Sequence, residues 1–185
     1  MDWLRRSRAP WGDGVWKELD EAVVRVARHF LAARHVADFD GPHGWDFVAV
    51  RLGTTHESPT ENQSPRAQVT VPEVVLLSEV ECSFYQPLAL VDVWERGGPT
   101  LDTSAAEAAA REVANAEDRL AFYGHNGGTG FLNNPQSPAL DIGDWTHPAQ
   151  IASDVLNAVA KLDASGIPGP YSLVLDEAHY YTYLA

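Results

Sequence analysis

The sequence predicts an α+β fold. Three observations carry that expectation: long stretches with apolar residues at spacings of three and four, a stretch in which apolar and polar residues alternate, and breaks rich in Gly and Pro between them. The first spacing puts side chains on one face of a helix; the alternation puts them on one face of a sheet.

The elements follow in order. Residues 1–12 read as an arm. From Val15 to Val36, the apolar residues Trp16, Leu19, Val23, Val26 and Phe30 share one helical face. Asp13 is the expected N-cap, and Asp40-Gly41-Pro42 the stop. Phe30 should anchor the face, since truncating a buried Phe costs about 3–5 kcal/mol. Residues 45–52 read as a strand. Thr54 to Gln68 is polar, with Pro59 and Pro65, and reads as a long loop or an extended hairpin arm. Val74 to Phe84 reads as a second strand, in which Val80, Cys82 and Phe84 alternate with Glu79, Glu81 and Ser83. This pattern makes Cys82 a core residue. Pro87 then breaks the pattern, and a turn follows at Arg96-Gly97-Gly98-Pro99.

A second helix is expected from Ala105 to Tyr123, opened by a capping box of Ser104 and Glu107 and closed by Gly124. Its stripe of Ala109, Val113, Ala116, Leu120 and Tyr123 is mostly small, which lets another element come close. Residues 125–143 read as a loop. A third helix fits Pro148 to Ser165, with Ile151, Val155, Val159 and Leu162 on one face. Tyr171 to Leu175 reads as a short buried strand, and a turn begins at Asp176.

Composition limits the function classes. The 185 residues carry a formal charge of −13, against the clustered Lys and Arg of a nucleic-acid surface. The small basic cluster Arg5, Arg6 and Arg8 is not followed by an apolar run, so it is no signal peptide, and no stretch has the length of a membrane span. Cys82 is the single cysteine, so CxxC zinc spacing is absent and a cytosolic address is the default. The histidines show no HExxH spacing, and His29 and His35 stand too far apart on a helix to make a metal pair. Gly124 to Gly130 lacks the ending of a phosphate loop and follows a helix rather than a strand, so it reads as a flexible loop. Glu117 and Asp118 are adjacent on a helix and point to different sides. There is no GxSxG, so no catalytic residues, cofactor or metal are expected.

Four linked segments point further: LAARHVADFDGPHGWDFVAVRLG (Leu31 to Gly53), ERGGPTLD (Glu95 to Asp102), AEDRLAFYG (Ala116 to Gly124) and GIPGPYSLVL (Gly166 to Leu175). In this order they resemble the type 1 encapsulin shell proteins, the linocin or bacteriocin-like family. That resemblance implies the tailed-phage major-capsid (Hong Kong 97-type) form of an α+β fold. Residues 1–53 would be the N-terminal arm and helix leading into the peripheral domain, and 54–72 the extended loop arm reaching a neighbouring subunit. Residues 73–124 would be the peripheral domain with its spine helix, and 125–185 a partial axial domain.

The function implied is a self-assembling shell subunit of a cytoplasmic nanocompartment. Its partners would be further copies of itself and a cargo enzyme, such as a peroxidase or a ferritin-like protein, bound through a terminal targeting peptide. By match to the family, Phe30, Arg34 and Asp38 would line the cargo-peptide surface; the plainer reading of Arg34 and Asp38 is an i,i+4 surface pair. Some members bind flavin through a Trp before the ERG turn. That position falls on Ala89 here, so flavin is not expected, and the nearby Trp94 is expected to pack. Family members continue beyond the position of Ala185, which leaves three expectations: a complementing chain that would pair Tyr171–Leu175 and the 74–84 strand, a truncated remnant, or an assembly closed differently. A defective or prophage-derived capsid protein, a bacteriocin- or protease-like enzyme, and a soluble adaptor remain alternatives.

Overall fold

The computed structural model describes residues 4–57, 70–125, 128–135 and 137–184. Its architecture is α+β: helices with one two-stranded antiparallel sheet. The chain divides into two compact units, one made of residues 1–38 and 84–185 and the other of residues 39–83.

The first unit opens with a 3-10 turn, Arg6–Arg8, that lies on the first helix, α1 (Asp13–Phe30). Arg6 holds Asp20 through two hydrogen bonds of 2.7 Å, and its guanidinium sits 4.9 Å from the centre of the Trp16 ring. Helix α1 buries Val15, Leu19, Ala22 and Val26. Trp16, Val23 and Phe30 are half-buried, so the buried stripe runs one residue to the side of the expected one. The helix stops at Phe30, and a single turn, α2 (Ala33–Val36), follows. Asp13, the expected N-cap, is instead the first residue of α1, and Gly12 is its cap.

Helix α3 (Leu88–Glu95) was not expected. Pro87 breaks the preceding strand pattern, but it stands at the N-cap of a helix, and a fixed φ near −65° suits a helix start. Val91 and Trp94 on α3 pack with Val15, Leu19, Leu101 and Ala106 into the core. The buried Gln86 amide donates to the Asp102 carbonyl at 3.1 Å and ties the start of α3 to the segment before the next helix.

That helix is α4 (Ser104–Tyr123). The capping differs from the expected box. Asp102 accepts from the Ser104 N–H, and the Thr103 hydroxyl donates to Glu107. The buried residues of α4 are Ala106, Ala109, Ala110 and Ala114. Val113, Ala116 and Leu120 are half-buried and Tyr123 is exposed. This alanine face packs against α1 and α2. After Gly124 the chain doubles back. Phe131 N–H donates to the Ala121 carbonyl, and the Asn133 amide spans Gly130 N–H and the Tyr123 carbonyl. These bonds satisfy carbonyls that a helix end leaves open. Asn126 and Gly127, within the expected flexible loop, lie outside the described residues.

Helix α5 (Pro148–Ala164) buries Ile151 and half-buries Val155, Val159 and Leu162, as its period implied. Tyr171 to Leu175 forms no strand, because no other strand lies beside it among the described residues. Helix α6 (Glu177–Leu184) follows where only a turn was expected. Asp176 begins it by accepting the His179 N–H at 2.8 Å.

In the second unit, β1 (Ala49–Glu57) pairs antiparallel with β2 (Thr70–Leu76), from Ala49↔Leu76 to Glu57↔Thr70, with an irregularity between Arg51 and Thr55. The strands flank residues 58–69, so most of the expected arm lies outside the described residues. The alternating stretch Val80–Phe84 is in neither strand, and Cys82 is exposed rather than in a core. Its period-two pattern has no sheet to belong to. Both faces of the hairpin expose apolar side chains, among them Leu52, Val74, Val75 and Leu76.

The alanine face of α4 leaves no room for bulk. Ala110→Leu should lower stability by about 1–3 kcal/mol by overpacking, whereas Ala108→Leu, on the exposed side, should change it by less than about 0.5 kcal/mol. Chemical denaturation followed by circular dichroism measures both.

Candidate functional site

Close packing of the α4 alanines brings polar groups of α4 onto α1 and onto α2. Arg25 donates to Glu107 at 2.7 Å. Further along, the Arg111 guanidinium lies 4.8 Å from the centre of the Phe30 ring. Next, Asp118 accepts the backbone N–H groups of Ala32 and Ala33, each at 2.9 Å. Beside it, Glu117 takes both Nε and Nη2 of Arg34, at 2.5 and 2.9 Å. The His29 ring meets Phe30 edge-on with centroids 5.0 Å apart, and the His35 Nε2 reaches the Arg28 carbonyl at 3.2 Å.

The three residues carried over from the resemblance are therefore unequal. Phe30 is half-buried between α1 and α4 and exposes part of its ring. Arg34 is gripped by Glu117 in a bidentate pair, where the sequence suggested Asp38. Its hydrogen bonds to Glu117 raise its pKa above the ordinary value, against an opposing effect of partial burial. Both side chains of the pair keep a third or more of their exposure, so its contribution to stability is at most about 1 kcal/mol. Asp38 is exposed beyond α2. Sequence reasoning did not find Arg111, Glu117 and Asp118 as part of this surface. Glu117 and Asp118 do point to different partners, but both partners belong to one neighbouring segment. The available signal was the run of Glu107, Arg111, Asp118 at spacings of four and seven, one side of a helix.

A second concavity lies in the same unit between α5, the segment 171–175 and α6. It encloses about 650 Å³ and is lined by Ile142, Val155, Val159, Leu162, Leu173 and Leu175. Polar groups gather at one end. Asp154 accepts from Gly143 N–H, Trp145 Nε1–H and Gln150 Nε2–H at 2.7–2.8 Å, and the His179 ring stands edge-on to Trp145. His179 Nδ1 bonds Asp176. The Asp154 carboxylate thus ties together residues before α5 and on it. No group of three or more His, Cys, Asp or Glu among the described residues is placed to hold a metal. None of the described helices is long and apolar enough to cross a membrane.

The whole chain, residues 1–185, matches the family described as encapsulating protein for peroxidase. Among curated proteins it is similar to the type 1 encapsulin shell protein of Rhodospirillum rubrum, at 35% identity over 97% of this chain and 66% of that one. It is 28% identical to the type 1 encapsulin shell protein of Mycobacterium tuberculosis over 98% of this chain and 68% of the other. It is also 35% identical to a diheme-cytochrome-encapsulin shell fusion protein of Kuenenia stuttgartiensis, over 89% of this chain and 48% of the fusion. The chain spans about two thirds of the length of the shell proteins it matches.

Asp154 gives a pH-dependent prediction. The Gly143 N–H, followed by the Trp145 indole, holds its carboxyl below the usual carboxylate range. A group with a depressed folded pKa stabilises the fold above its unfolded pKa and loses that effect as pH falls through the folded one. Asp154→Asn should therefore be less stable than the parent at neutral pH, and the gap should close as pH falls below the ordinary range. Thermal midpoints from pH 7 downward check this; a gap that stays constant with pH would contradict it.

Proposed function

The chain belongs to the encapsulin family of encapsulating proteins, and on that premise we propose that it is a structural shell subunit of a nanocompartment, built on a Hong Kong 97-type fold, that assembles with copies of itself around a cargo enzyme. The observation that supports it most is the hairpin of β1 and β2. A lone two-stranded hairpin is marginal in water, and this one exposes apolar side chains on both faces, with Leu76 at 72% and Leu52 and Val71 at 51%. Such a surface needs cover. In a shell the hairpin and the arm at 54–72 are covered by a neighbouring subunit, and many copies of one modest interface sum to a closed particle.

Cargo docks, on this reading, at the end of α1, on α2 and on the adjoining face of α4, with Phe30 giving apolar contact and Arg34 and Asp38 polar contact. The surface is made by α1, α2 and α4, which are tied to one another, so little of it must be ordered when a peptide arrives. The role is architectural, and the chain carries no catalytic step. Nothing in the reading calls on flavin.

Two experiments test it. Negative-stain microscopy and sedimentation of the purified chain should show large multimers, and deleting Thr54 to Gln68 should abolish them while leaving the helical circular dichroism signal in place. Intact particles after that deletion would remove the arm from assembly. Arg34→Ala, co-expressed with the natural cargo, should lower the amount of co-purified enzyme several-fold without loss of particles. If Glu117→Ala and Arg34→Ala lower stability alike while loading is unchanged, Arg34 serves only its pair with Glu117.

A further inference from the structure

We propose that Arg111, laid over Phe30, binds a carboxylate of the docked peptide, so that the peptide accepted here is apolar and acidic; this rests on the docking reading above and deepens it. Arg111 is exposed, and among the described residues it forms no ion pair. Its neighbours on the same surface are differently placed. Arg25 is held by Glu107, and Arg34 presents both Nε and Nη2 to Glu117. The charge of Arg34 is already matched by the Glu117 carboxylate, itself two-thirds covered, so a carboxylate of the peptide falls to Arg111 while Arg34 offers the peptide only polar contact.

The placement over the ring fits Arg111 for the task. Its guanidinium carbon lies 4.8 Å from the Phe30 ring centre. A contact with a ring uses up no polar acceptor, so the planar fork of N–H groups that matches a carboxylate stays available. The ring below fixes the side chain before any ligand arrives, which lowers the entropy lost on binding. Phe30 is half-buried, so its remaining surface lies beside the fork. An apolar side chain can sit on the ring while a neighbouring carboxylate meets Arg111. Charge complementarity points the same way. The chain carries −13 overall, yet at this surface Glu107, Glu117 and Asp118 are each turned to partners within the fold. Among the described residues no carboxylate is paired with Arg111, so its charge is left for a ligand.

The test uses the purified full chain and two fluorescein-labelled nonapeptides, Gly-Leu-Glu-Leu-Gly-Leu-Glu-Leu-Gly and its counterpart with Gln for Glu. Binding is read by fluorescence anisotropy. The Glu peptide should bind about tenfold more tightly, the scale of one charge-assisted hydrogen-bonded pair, and high salt should narrow the gap. Arg111→Gln should erase the gap, and Arg111→Lys should keep part of it. Arg34→Gln should lower both affinities alike and leave the gap. Equal binding of both peptides by the parent chain, or a gap erased by Arg34→Gln but not by Arg111→Gln, overturns the assignment. Cargo co-purification with the parent chain, measured separately, tells that failure from failure of the docking reading itself. If cargo is not retained and neither peptide binds, both fall.

Discussion

The first unit depends on how closely α1 and α4 approach. Ala22 of α1, and Ala106, Ala109, Ala110 and Ala114 of α4, are all buried. Each contributes little apolar area, and area is what sets hydrophobic stabilisation at about 25 cal/mol per Å². What small side chains give instead is distance. With the backbones close, the short side chain of Asp118 reaches two N–H groups of the α2 turn, and Glu117 and Glu107 reach arginines on the facing segment. A leucine seam would hold the helices further apart and put those contacts out of range. The heavier burial is concentrated at the other end of α1, where Val15, Leu19, Val91 and Leu101 meet with Trp11, Trp16 and Trp94 around them. Large residues anchor one end of the pair, and small residues with polar ties align the other.

The region after α4 is held by other means. Ile151 and Trp145 are its buried apolar side chains, and most of the lining of its cavity is only partly covered. Order there comes from carboxylates, two at the starts of turns or helices (Asp144 and Asp176) and one, Asp154, within α5. Asp144, Asp154 and Asp176 each accept backbone N–H groups, and each is held below the ordinary carboxylate range mainly by hydrogen bonds. At Asp176 the N–H groups at the start of α6 favour the anion.

The helices were legible because a 3.6-residue period repeats over many turns, as in α1, α4 and α5. The short α3 and α6 were not, since eight residues give barely two turns of pattern. Their starts were nevertheless present in the sequence: Pro87 read as a breaker and Asp176 read as a turn both begin helices. The alternation at Val80–Phe84 misled in the opposite sense. Period two describes a strand only where another strand supplies partners, and β2 ends at Leu76. Cys82 went with it, from expected core to exposed surface. At the candidate site, Phe30, Arg34 and Asp38 were named by likeness to a family, whereas the partners of Phe30 and Arg34 lie more than eighty positions away on α4. Pairing over that separation is set by packing, which a single sequence does not state.

A docking surface on such a seam has a property that a loop-built one lacks. Arg111 sits on α4, whose spacing from α1 is set by buried alanines, and Arg34 sits on the α2 turn, which Asp118 and Glu117 tie to α4, so on the proposed docking both positions are set before a ligand comes. The ordering cost then falls mainly on the ligand. A flexible peptide that loses its freedom on binding returns only a modest net affinity per contact. On the proposed docking, a wall that repeats the same surface in every copy needs only modest affinity at each site, provided that one cargo particle presents several peptides and engages several sites at once. Rigidity in the subunit and weakness at the single site are in this way compatible, and the alanine face of α4 is the element that supplies the first.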